Sequence, residues 1–147
     1  MKSEIKTKIQ KSQAKVKKEE AIRPSSKNDS SRQIVRKSLE AIAEKQGLDP
    51  VVLELKGLTD IADYFVIASG RTDRQVEAIQ DAILENVKEA GFRPLGVEGK
   101  RGGEWILMDF GGVIIHIFTP ETRDYYRLES LWISAPLSDA DSFLKDT

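Results

Sequence analysis

The feature that most constrains this chain is a pair of glycines, Gly111 and Gly112, set between two apolar runs, residues 105–110 and 113–118. Two strand-like runs joined by two glycines predict a β-hairpin with a tight turn, because such turns place residues at positive φ. The two-residue turn also sets a register. Phe110 pairs with Val113, Asp109 with Ile114, Met108 with Ile115, Leu107 with His116, Ile106 with Ile117, and Trp105 with Phe118. Directly paired residues of an antiparallel ladder share a face. One face then shows Ile106, Met108, Phe110, Val113, Ile115 and Ile117, and must lie under helices. The other shows Trp105, Leu107, Asp109, Ile114, His116 and Phe118, large apolar groups mixed with a carboxylate and an imidazole.

Such a mixed face is either covered by a partner or partly exposed, or it is closed by the chain itself. Tryptophan is a frequent interface anchor. A buried tryptophan removes on the order of 200 Å² from water, worth up to roughly 5 kcal/mol at about 25 cal/mol per Å². The same gain follows if Trp105 packs on the C-terminal segment, against Trp132 or Phe143. The residues alone leave the two alternatives level.

The flanking sequence supplies the other layers. Ser30-Ser31-Arg32-Gln33 reads as a capping box, followed by Ile34, Val35, Leu39 and Ile42 at helical spacing and a stop at Gly47. Residues 51–55 read as a strand, and 64–68, apolar on both faces, as a central one. Thr72-Asp73-Arg74-Gln75 opens a second helix whose stripe is Val76, Ile79, Ile83, Val87 and Ala90. Residues 95–98 form a short strand. Thr119-Pro120 is a cap with proline at the first helical position, starting a helix over about 121–131. The order αββαβββα predicts an α/β (α+β) domain: a mixed sheet of about five strands with helices mainly on one face.

Charge divides the chain. Residues 1–30 carry nine Lys/Arg and four Asp/Glu, whereas the remainder carries 14 and 20. We read 1–29 as a basic, disordered or loosely helical arm, 30–133 as the folded domain, and 134–147 as a polar, acidic, frayed tail. The arm makes at most secondary contact with nucleic acid, and the acidic domain prefers a basic protein surface. No apolar run approaches the roughly 20 residues that span a bilayer, and the arm is neither a secretory signal nor a transit peptide. With no cysteine, a reducing, cytoplasmic setting is expected.

The residues give little support to catalysis. Without cysteine there is no thiolate nucleophile, and one histidine rules out a multi-histidine metal site. Ser69-Gly70-Arg71-Thr72-Asp73 precedes a helix, a place that can bind phosphate, but one glycine is far short of a Walker loop. Metal-dependent nucleotidyl transfer needs alternating carboxylates on a strand. The candidate strand offers only Asp109, and Asp60 and Asp63 are too sparse. His116 and Asp109 are diagonal neighbours without a serine to complete a relay. No catalytic residue, cofactor or metal site is expected. A nucleotidyltransferase-like small-ligand enzyme is the alternative reading.

Several spaced motifs carry a resemblance. Thr59-Asp60-Ile61-Ala62-Asp63-Tyr64-Phe65-Val66-Ile67, Val97-Glu98-Gly99, the whole hairpin, and Arg123-Asp124-Tyr125-Tyr126-Arg127-Leu128-Glu129-Ser130-Leu131-Trp132 stand in the order of the ribosomal silencing factor (Iojap-like) family. The chain resembles that family over about residues 32–133. The resemblance implies a nucleotidyltransferase-like fold lacking the catalytic carboxylates. It implies a translational repressor that binds the large ribosomal subunit on its joining face, at the large-subunit protein numbered fourteen. It blocks the small subunit when nutrients are short. Organellar relatives act in large-subunit assembly, and homodimers are common. The implied contact region is the tryptophan strand: Trp105, Leu107 and Asp109, with Glu98, Glu104 and His116. One departure is Gly111-Gly112, where many members carry Gly-Asp.

Overall fold

The structure is a computed structural model that describes residues 27–99, 104–132 and 134–145. The rest of the basic arm, residues 1–26, lies outside the described residues, as do four loop residues, 100–103. The elements are α1 (Lys27–Glu44), β1 (Leu48–Glu54), β2 (Tyr64–Ser69), α2 (Asp73–Glu89), β3 (Gly96–Gly99), β4 (Trp105–Asp109), β5 (Val113–Phe118) and α3 (Pro120–Tyr126). A 3-10 turn (Leu128–Trp132), β6 (Leu137–Asp139) and α4 (Ala140–Lys145) follow. The mixed α/β architecture is the expected one, with two corrections. The sheet has six strands, in the order β3-β4-β5-β2-β1-β6, and the expected frayed tail supplies the sixth and a short helix.

The hairpin register is the one predicted. Trp105 pairs with Phe118, Ile106 with Ile117, Leu107 with His116, Met108 with Ile115, and Asp109 with Ile114. Phe110 N–H donates to Val113 O at 2.9 Å to close the turn. Gly111 takes φ +88°, a conformation that favours glycine. Gly112 is needed for a different reason: a Cβ there would run into the Ser31 hydroxyl of α1. Any side chain at position 112 would require Ser31 to move.

Two apolar layers sandwich the sheet. On one face α1 and α2 bury Ile34, Leu39, Ile42, Val76, Ile79, Ile83 and Val87 over Ile106, Met108, Val113, Ile115 and Ile117. Thr72 caps α2 as expected, its hydroxyl accepting from Gln75 N–H at 3.1 Å. Gln75 Oε1 accepts from Arg71 N–H at 2.6 Å, so the loop proposed for phosphate uses these groups to start its own helix. α1 begins at Lys27, one turn earlier than the sequence suggested, and takes Ser31 and Ser38 inside. Ser38 is satisfied by donating back to Ile34 O at 2.7 Å.

The opposite face is closed by the chain itself. The predicted 121–131 helix is split: α3 ends where Arg127 turns left-handed (φ +47°), and the 3-10 turn follows. This segment lays Tyr126, Leu128, Leu131, Trp132 and Ala135 over Leu53, Phe65, Ile67, Trp105, Leu107, Ile114 and Phe118. Arg123 fastens it: its guanidinium donates to Glu129 Oε2 (3.0 Å), Ser69 Oγ (3.1 Å) and Leu48 O (3.3 Å).

Candidate docking site

The strand pairings bring five of the six candidate residues onto one face. Glu98 of β3 stands opposite Leu107 of β4, and Leu107 opposite His116 of β5. Trp105 and Asp109 are the diagonal neighbours of Glu98 in that ladder. The sixth, Glu104, precedes β4 and is exposed; its carbonyl accepts from Thr119 N–H at 3.0 Å.

Burial separates them. Trp105 is 7 % exposed, and Leu107, Asp109 and His116 are 2 % or less. The mixed face therefore lies in the closed layer, the second of the two alternatives. Trp105 stacks on Phe118 at 5.4 Å and lies under Tyr126 at 5.4 Å. Its indole N–H donates to His116 Nδ1 at 3.2 Å, which makes Nδ1 the acceptor nitrogen. Neither suggested aromatic partner stacks on Trp105. Trp132 stands edge-on to Phe65 at 5.9 Å, and Phe143 packs on Tyr64 on the helix side at 5.7 Å. Asp109 Oδ1 accepts from Gly111 N–H at 2.9 Å, so this carboxylate serves the turn.

What reaches the surface is the rim of that face. β3 is an edge strand, and edge strands present unpaired backbone groups that invite a partner. Glu98 is half-buried there, and its Oε2 is shielded from solvent without a hydrogen-bond partner. A dry, unpaired carboxylate oxygen is costly to a folded chain. The sequence reading missed two neighbours: Leu95 and Val97 are 37 % and 41 % exposed on the helix side of the same edge. Alternation around Gly96 places both on one side, a signal available once β3 is known to be an edge. The site is thus an apolar strand edge rimmed by Glu98 and Glu104 and backed by the packed Trp105 layer. Among the described residues no group of three or more His, Asp or Glu could hold a metal ion.

Fold and site together describe a mixed α/β domain with an exposed sheet edge that carries Glu98 and is followed by Glu104. Comparison with known proteins gives the family. Residues 28–147 match the family described as ribosomal silencing factor during starvation. The chain is 38 % identical over 108 residues to the ribosomal silencing factor RsfS of Bacillus subtilis, covering 74 % of this chain and 92 % of that one. It is 32 % identical over 101 residues to mouse mitochondrial assembly of ribosomal large subunit protein 1, covering 67 % of this chain and 44 % of that one. A crystal structure of a Chromobacterium violaceum protein superposes with a TM-score of 0.68 at 35 % identity, over 75 % of this chain and 92 % of that one. The chain belongs to the ribosomal silencing factor family.

Proposed function

We propose that this chain represses translation by occupying the joining face of the large ribosomal subunit, at the large-subunit protein numbered fourteen, so that the small subunit cannot dock. Its work is done by occupancy and requires no chemistry. The observation that carries the reading, beside family membership, is the β3–β4 edge: exposed Leu95 and Val97 beside Glu98, whose carboxylate has a dry, unpaired oxygen. Apolar contact flanked by polar groups is how protein interfaces are built, and Glu98 and Glu104 supply polar groups beside this one. Trp105, Leu107, Asp109 and His116 act from beneath, holding the edge in shape. The name of the mouse relative, an assembly protein of the large subunit, points to the same particle.

Size suffices for the block. A folded domain of roughly 120 residues has a radius of gyration of about 13 Å, larger than any gap between two subunit surfaces in contact. The edge strand can also pair with a second copy, and a dimer formed there would compete with the ribosome.

Co-sedimentation with purified large subunits tests the site. The wild-type chain pellets with the subunit. The double variant Glu98→Lys/Glu104→Lys, with thermal unfolding showing that it is folded, binds at least tenfold more weakly at low salt. Substitution of Leu137, exposed on the opposite edge, leaves binding unchanged. Equal pelleting of wild type and the double variant removes β3–β4 as the docking site.

A further inference from the structure

The outer face of α2 has a feature that neither the core nor the β3–β4 edge uses. Asp73, Glu77, Asp81, Glu85 and Glu89 follow one another at intervals of four along the whole helix. Residues four apart stack on one side of a helix. At about 100° and 1.5 Å per residue the five carboxylates form a ridge about 24 Å long that winds by roughly 160° around the helix, with Asp81 and Glu85 lying opposite the buried stripe. All five are exposed, and none is ion-paired among the described residues. Like charges four apart oppose the helix that carries them, so this face is relieved by a cationic cover.

The chain carries such a cover and delivers it to the right end. α1 and α2 run antiparallel: Gln75 Nε2 donates to Lys45 O (3.0 Å) and Gln46 O (3.1 Å), and Asn86 Nδ2 donates to Lys37 O (2.7 Å). The start of α1 at Lys27 therefore lies toward the Glu89 end of the ridge. Asp81, Glu85 and Glu89 also line, with Glu44 and one cation, Lys45, a groove of about 400 Å³ between the two helices. Residues 1–26, which lead into α1, carry eight Lys/Arg against three Asp/Glu. Within them Lys8, Lys11, Lys15 and Lys18 recur at spacings of three and four, the period that puts residues on one side of a helix.

We propose that residues 8–18 dock on the acidic outer face of α2, the lysine series covering the carboxylate series of the same chain. Residues 19–26 can span up to roughly 27 Å when extended, enough to double back along α2. Tethering supplies a local concentration in the millimolar range, so exposed ion pairs that are individually weak suffice. The interaction is screened by salt. It also means that α2 competes with any nucleic acid for the arm.

Zero-length carbodiimide crosslinking of the full chain at low salt, with mass spectrometry of the isolated monomer, tests this. Amide links from Lys8, Lys11, Lys15 or Lys18 to Asp81, Glu85 or Glu89 are expected, falling several-fold in 0.5 M salt. The variant Asp81→Lys/Glu85→Lys should lose the links to Glu89 as well, and adding Lys11→Glu/Lys15→Glu should bring links back with the roles reversed. Asp81 and Glu85 are exposed, and unchanged thermal unfolding confirms that the variants fold. Links spread evenly over unrelated exposed carboxylates such as Asp49 and Asp124 would overturn the proposal. So would links found only between differently isotope-labelled copies.

Discussion

Trp105 owes its place to packing on three sides: Phe118 beside it, Tyr126 above it and His116 accepting its N–H. Truncation to alanine leaves a cavity in the closed layer. Trp105→Ala is expected to cost about 3–5 kcal/mol, read by urea unfolding; a loss below about 1 kcal/mol would mean that the layer is not closed in solution. For that reason loss of ribosome binding by this variant says little about contact. Gly112 gives a cleaner single-residue test. Its backbone is not left-handed, so only the Ser31 hydroxyl opposes a side chain there. Gly112→Ala should destabilise by about 1–3 kcal/mol, and Ser31→Ala in the same chain should restore most of it. Additive losses in that double-mutant cycle would show that the two residues do not meet.

At the scale of elements, the two faces of the sheet are held very differently. α2 buries Val76, Ile79, Ile83 and Val87, whereas α3 buries no residue and depends on the Arg123 tether. Arg123→Ala is expected to speed amide exchange over residues 120–132 and leave α2 slow; equal acceleration in both would contradict separate anchoring. In the tail, Asp139 Oδ1 accepts from Ser142 N–H at 2.7 Å and caps α4. That hydrogen bond, with one from the Ser142 side chain, holds the Asp139 carboxyl below its ordinary value of 3.8. The folded-state value is depressed, so the cap is in place above about pH 4 and is lost as pH falls through it. Protection factors of the α4 amides, with the intrinsic pH dependence of exchange divided out, should fall on acidification, and Asp139→Asn should flatten that dependence.

The difference between these elements explains what was legible in the sequence. The hairpin register, the α2 stripe and the Thr72 cap follow from local rules: a two-residue turn, a period of 3.6 and a hydroxyl before a helix. β6 and α4 do not. They are short and polar, and Phe143 is the one residue of α4 that is buried. Their pairing with β1 is a tertiary event with no local period. The closed second layer was half legible. The mixed composition of the face could be read, but the left-handed Arg127 breaks the helix period just where the covering segment begins. The sequence therefore pointed to the right strand while leaving open which of its side chains reach the surface.

At the scale of the molecule, the near-zero net charge of −1 joins a basic arm to an acidic domain. An acidic domain approaching a basic partner is steered by charge, so association should weaken with rising salt while the dissociated protein stays folded. Among the described residues no helix is long and apolar enough to cross a membrane. Occupancy of one face of one subunit is the whole of the proposed action, and it makes a demand on stoichiometry that catalysis does not. The most direct measurement is a subunit-joining assay: purified large and small subunits are mixed after the large subunits have been incubated with increasing amounts of the chain, and joined ribosomes are resolved on a sucrose gradient. The account predicts that joined ribosomes fall in proportion to the chain bound, reaching their minimum near one chain per large subunit, with the chain in the large-subunit peak. Undiminished joining with the chain bound at that ratio would contradict it.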